Sequence, residues 1–148
     1  MSFRFSLEAL HKLRHSQERQ QELLLQRANQ QASLLQQQIA HIETLIRRAC
    51  EEQLHKLENR VTASELQFDV FCRSLLTQQK CVLQKELASA LALRDTQREA
   101  FRQARRRREV LDSLRTHHLE LFQREQMRQE QRRADEEVLL RADPRPSG

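Results

Sequence analysis

Apolar residues return through the first 60 positions at gaps of four and three: Leu24, Ala28, Ala32, Leu35, Ile39, Ile42, Ile46 and Ala49, then Leu57 and Val61. Gln, Glu and Arg fill the places between. The mean gap is about 3.5 residues, the repeat of a left-handed coiled coil, so this stretch predicts a helix with one narrow apolar stripe. Towards the N-terminus the stripe continues through Leu7, Leu10 and Leu13 and is softened by Gln17, Gln21 and Gln31. Ser6 fits an N-cap, Glu8 lies in the first turn where an anion suits the helix dipole, and Phe5 is placed to staple onto Leu10. The first helix is therefore expected over about residues 6–59.

A reversal is written into Val61-Thr62-Ala63-Ser64-Glu65-Leu66. Thr62 and Glu65 stand three apart as a capping box, with Val61 and Leu66 at the flanking staple positions. Asn59, just upstream, tolerates the left-handed conformation that closes a helix C-terminus. These signals place a turn at about 59–62 and a second helix over about 63–141. The second stripe reads Phe68, Cys72, Leu75, Val82 or Leu83, Leu87, Ala90, Gln97, Phe101, Ala104, Leu111, Leu114, His118 and Phe122.

Folding there pairs position i with about 121 − i in simple antiparallel geometry. Ile46 then faces Leu75, Ile39 faces Val82, Leu35 lies by Leu87 and Leu10 meets Leu111. The expected fold is all-α: a long antiparallel two-helix coiled-coil hairpin, one unit over 1–142, with a C-terminal helix overhang. That overhang runs from Leu119 to about Ala142, roughly 36 Å at 1.5 Å per residue. Pro144 and Pro146 cannot continue a helix, so 143–148 reads as a flexible tail.

Composition sharpens this picture. No Gly or Pro occurs between Ser2 and Asp143, and the chain has no Trp, no Tyr and only six Phe. With 32% charged residues and a mean hydropathy of −0.82, the apolar supply suits a seam rather than a globular core. Residues 94–133 hold twelve Arg against seven acids, while 134–148 hold two Arg against four. A basic shaft with a slightly acidic end points to acidic partners. Cys50, Cys72 and Cys81 are odd in number and lack paired spacing, and no signal-peptide core or apolar membrane span is visible. Those features fit a reducing cytoplasm and at most a peripheral membrane role.

Catalytic chemistry finds little to work with. A straight hairpin cannot gather a Ser/His/Asp set or converging carboxylates, and no Gly-rich phosphate loop exists, so the chain reads as non-enzymatic. His11 and His15 stand at i,i+4, a spacing able to share a metal, yet no third ligand lies nearby in sequence. No metal, cofactor or small-molecule substrate is expected. Arg105, Arg106, Arg107 and Arg108 point in four directions about 100° apart, with Arg108 on the stripe. Two readings of that run stand open: a contact for an acidic partner, or a solvated face paired with Glu99, Glu109 and Asp112. Nucleic acid is a distant alternative, because a basic-zipper protein runs its basic helix straight into a parallel zipper. Near the reversal, Phe68, Val70, Phe71 and Leu75 exceed what one stripe needs. They form a candidate partner surface or a thickened apolar cap around the turn.

The opening Phe3-Arg4-Phe5-Ser6-Leu7-Glu8-Ala9-Leu10, followed by Leu13-Arg14 and Gln17-Glu18, resembles the start of the flagellar FliJ proteins. Glu130-Gln131-Arg132-Arg133-Ala134-Asp135-Glu136 is similar to that family's basic-then-acidic stretch near the C-terminus. The stalk proteins of virulence-type secretion systems are related, and the Phe-Arg-Phe-x-Leu-Glu opening favours the flagellar branch. The resemblance implies a cytoplasmic, peripherally membrane-associated component of the flagellar type III export apparatus. It would act with the hexameric export ATPase FliI, its regulator FliH and the gate protein FlhA. Glu130, Arg133, Asp135 and Glu136 then become candidate contacts on the overhang, beside Phe68, Val70, Phe71, Leu75, Arg105, Arg106 and Arg107. A plain coiled-coil spacer is the rival from another class.

Overall fold

The computed structural model describes residues 2–142, and the expected tail at 143–148 lies outside the described residues. Helix α1 spans Glu8–Glu58 and α2 spans Ala63–Ala142. They pack against each other as an all-α helical hairpin, with no strand among the described residues. An unbroken supply of Leu, Gln, Glu, Arg and Ala lets both helices run on without interruption over these ranges.

The ends of the helices follow local chemistry. Ahead of α1, the Glu8 N–H donates to the Phe5 carbonyl at 3.1 Å, and the first helical bond runs from the His11 N–H to the Leu7 carbonyl. Leu7 thus occupies the cap position expected for Ser6. Phe5 is buried and sets its ring edge-on to those of His11 and His118, and holding it there draws the chain into a turn before the helix begins. At the other reversal, the Asn59 N–H donates to the Lys56 carbonyl at 3.1 Å and α1 stops. No residue adopts a positive φ among those described, so α1 closes on this tightened i→i−3 bond and not on the left-handed conformation expected at Asn59. Thr62 caps α2, its hydroxyl oxygen accepting from the Glu65 N–H at 3.4 Å. Among the described residues no bond returns from the Glu65 carboxylate to the Thr62 N–H, so half of the capping box is formed.

Two compact units divide the chain. In the unit covering Arg19–Arg102, Ala28, Ala32, Leu35, Ile39 and Ile42 are buried on α1. Across from them α2 turns inward Leu66, Cys72, Leu76, Leu83, Leu87, Ala90 and Leu91, all half-buried. This corrects the second stripe in its first turns. Phe68, Leu75 and Val82 are exposed, and Leu76 and Leu83 hold the inward places. A strict repeat of alternating three and four residues runs back from Leu87 through Leu83, Lys80, Leu76 and Arg73 to Asp69. Polar residues sit on that stripe because they reach across it: Lys80 Nζ lies 3.3 Å from Glu43, Lys56 Nζ lies 3.2 Å from Asp69, and Arg73 Nη1 lies 3.3 Å from Cys50 Sγ. Counting apolar letters alone therefore put the stripe one residue out of phase.

The second unit joins residues up to Glu18 with α2 from Gln103 onwards. Ala104 and Leu111 are its buried apolar residues on α2, and Phe5 is buried in the N-terminal segment, against the rings of His11 and His118. Leu10 and Leu111 line one shallow hollow, as simple pairing expects. Leu114 and His118, placed on the stripe by the sequence, are exposed. The Phe3 ring lies 5.6 Å from that of Phe122, so residues ahead of α1 extend the pairing along α2 beyond Leu119.

In each unit the long polar side chains meet partners further along α2 than 121 − i. Glu43 reaches Lys80 in one unit, and His11 reaches Asp112 in the other. Every Cα–Cβ bond leans towards its own helix N-terminus. In an antiparallel pair, an α1 side chain therefore leans away from the turn and its α2 partner leans back towards it. The α2 residue must start further out.

Candidate partner-binding surfaces

Three surfaces carry the residues expected to act. The first lies just after the turn, where Phe68, Val70, Phe71 and Leu75 are all exposed, Phe68 to 65%. Leu54 and Leu57 of α1 are exposed in the same unit. Leu66, Cys72 and Leu76 supply the inward contacts, so the four residues singled out are surplus to the seam. A set of large apolar side chains left in water near one end of a helix pair is the usual composition of a contact surface.

The second surface is the basic run. Arg105 pairs with Glu109 at 2.9 Å one turn on. Arg106 and Arg107 form no ion pair among the described residues, and Arg107 borders the hollow of Leu10 and Leu111. Arg108 behaves differently. Its Nε and Nη2 donate to the two Glu18 oxygens at 2.6 and 3.2 Å, and its Nη1 donates to Asp112 Oδ2 at 2.5 Å. Both Arg108 and Glu18 are largely covered, at 21% and 16% exposure. The two carboxylates raise the guanidinium's proton affinity, Glu18 most, so this charge is permanent. Hence one residue of the run ties the helices together while Arg106 and Arg107 stay available to solvent.

Beside Arg108 lies a cluster that the sequence did not reveal. His11 Nε2 sits 2.5 Å from Asp112 Oδ1, and His15 Nε2 lies 3.6 Å from the same oxygen. The hydrogen bond from His11, then that from Arg108, holds the Asp112 carboxyl below its usual pKa. Sequence spacing flagged the two histidines and stopped for want of a third ligand. Asp112 supplies that ligand from α2. Simple pairing puts position 110 opposite His11, and only the lean of the side chains brings Asp112 into reach.

The third surface is the far end of α2. Phe122, Gln126, Glu130 and Arg133 line one shallow hollow. From Met127 to Ala142 every described residue is exposed, including Val138, Leu139 and Leu140. Asp135 accepts a bond from Gln131 Nε2 at 3.5 Å, and Glu136 is exposed. From Gln123 to Ala142 the helix continues for about 30 Å beyond its last aromatic contact with the N-terminal segment.

Among the described residues no helix is long and apolar enough to cross a membrane. The two packed helices of the described residues form a coiled-coil fold whose distinctive features are the helix surfaces above. The family model for the flagellar FliJ protein matches residues 3–145, nearly the whole chain, and the chain belongs to that family. It is accordingly a component of the flagellar export apparatus, in a family that is non-catalytic. No curated protein and no solved structure matches it.

Proposed function

We propose that this chain is a stalk-like coupling element of the flagellar export machine, engaging the hexameric export ATPase at one end and the membrane export gate at the other. The observation that carries this reading is the far end of α2, where an exposed helix outlasts the N-terminal segment that covers its beginning. A lone helix of this length is marginal in water, and docking into a protein ring supplies the packing it lacks. Glu130, Arg133, Asp135 and Glu136 are the contacts we assign to that end. Arg105, Arg106 and Arg107 face acidic partners such as the ATPase or its regulator. Phe68, Val70, Phe71 and Leu75 form the apolar surface offered to the gate protein.

Two measurements test the proposal. Adding the full chain to the cognate FliI-like hexamer stimulates ATP hydrolysis, and an unchanged rate overturns the ATPase half of the reading. Val70→Glu weakens binding to the FlhA-like gate protein while leaving helical content and thermal stability intact. A large loss of helicity assigns Val70 to structure instead.

A further inference from the structure

We propose that His11, His15 and Asp112 form a binding site for one divalent transition-metal ion, Zn²⁺ by its ligand chemistry, that clips the start of α1 to α2. The two histidines lie one helical turn apart, and their rings meet edge-on with centroids 4.6 Å apart. Both direct Nε2 at a single carboxylate oxygen, Asp112 Oδ1, at 2.5 and 3.6 Å. The three ligand atoms all lie within 4.8 Å of one another. A tetrahedral Zn²⁺ at about 2.0–2.2 Å from each donor needs donors about 3.3 Å apart. From the present separations, changes of about 1.5 Å or less bring each pair to that value.

The donor set selects the class of ion. Imidazole with carboxylate suits Zn²⁺, Co²⁺ and Ni²⁺, whereas Ca²⁺ and Mg²⁺ require a shell of oxygens. Three protein ligands leave a fourth position for water. The exposure of His15 (45%) and Asp112 (36%) gives that position and the entering ion access to solvent.

The surroundings fix the carboxylate and set the charge. Arg108 binds the oxygen that faces away from the histidines, Asp112 Oδ2, and is itself held by Glu18. A ligand carboxylate oriented from behind by a hydrogen-bonded partner is a recurring feature of protein metal sites. Arg108 is shared by two carboxylates, so Asp112, Glu18 and Arg108 together carry a net charge of −1. Phe5 packs edge-on against the His11 ring and limits its movement. The ion would join residues about a hundred positions apart in sequence. It would hold the N-terminal segment onto α2 one helical turn past Arg108, between the basic run and the far end of α2.

The three free cysteines are competing ligands, so the test uses the full chain with Cys50→Ser, Cys72→Ser and Cys81→Ser. Titration with Zn²⁺ followed by calorimetry gives one ion per chain, and a hundredfold excess over Kd raises Tm by about 5–10 °C through mass action. Co²⁺ in its place gives the visible absorption of a tetrahedral N/O site. His15→Ala, a half-exposed change that leaves Asp112, Arg108 and Glu18 in place, weakens binding at least tenfold and cuts the Tm rise at the same Zn²⁺ concentration by about half or more. Asp112→Asn does the same, while His41→Ala, His55→Ala and His117→Ala change nothing. Zn²⁺ affinity unaltered by His15→Ala or Asp112→Asn, or lost altogether with the cysteines, overturns the proposal. Circular dichroism of each variant separates loss of the site from loss of the fold.

Discussion

Arg108→Met, Glu18→Gln and the two together form a double-mutant cycle on the best-covered ion pair of the chain. Two charges about 4 Å apart at an effective dielectric of about 20 attract by about 4 kcal/mol. Desolvating both groups and freezing two long side chains takes back most of that gain. Fully exposed pairs retain about 0.2–1 kcal/mol. Arg108 and Glu18 are four-fifths covered and share two hydrogen bonds of 2.6 and 3.2 Å, which places the coupling above that range, at about 1–2 kcal/mol. Arg108→Met also leaves Asp112 without its guanidinium, so the single variant loses more than the coupling, about 2 kcal/mol, or roughly 4–8 °C in Tm. The cycle removes the Asp112 share and isolates Glu18. Urea unfolding monitored at 222 nm measures it, and 1 M salt lowers the coupling. A coupling under about 0.3 kcal/mol would refute the view that this pair fastens the N-terminal part of α1 to α2.

Three other predictions bear on the fold. Leu76→Ala lowers unfolding stability by about 1.5–3 kcal/mol because Leu76 faces α1, whereas Leu75→Ala stays within about 0.5 kcal/mol; urea titration of both distinguishes the two phases of the stripe. Thr62→Ala costs about 0.5–1 kcal/mol, the lower part of the range for a lost cap because the bond is 3.4 Å and exposed, read as a Tm lower by about 1–4 °C. Asp112 has a depressed pKa when folded, so its contribution is complete above the ordinary carboxylate pKa and fades as pH falls through the lowered folded value. Asp112→Asn therefore costs stability near neutrality and flattens the decline of Tm on acidification below about pH 4.

The helix ends show how much of the fold was legible and why. Thr62 and the Glu65 N–H mark the reversal through a bond between near neighbours, and such a signal survives in any chain carrying those residues, whereas Asn59 ends α1 without the left-handed cap its type suggests. Ser6 carried a similar signal and lost, because Phe5 is pinned by His11 and by His118 from the other helix, a contact no local rule contains. The α1 stripe is apolar enough to read directly from Ala28 to Ile42. The α2 stripe is not: Asp69, Arg73 and Lys80 occupy inward places, and Phe68, Leu75 and Val82, the letters that draw the eye, face water. Spacing found the apolar surplus after the turn and the basic run. It missed the division of labour inside that run, since Arg108 differs from Arg106 and Arg107 only through Glu18 and Asp112. The His11–His15–Asp112 cluster needed the lean of side chains on antiparallel helices, a correction of a few residues that decides which groups touch.

Affinity for the cognate FliI-like hexamer measures most directly whether the far end of α2 is the docking element proposed above. The full chain is compared with one ending at residue 126, which keeps the contact of Phe3 with Phe122 and the Arg108 pairs while removing the wholly exposed stretch. If the far end docks, the shortened chain forms an at least tenfold weaker complex at unchanged helicity per residue. Equal affinity of the two forms would contradict it.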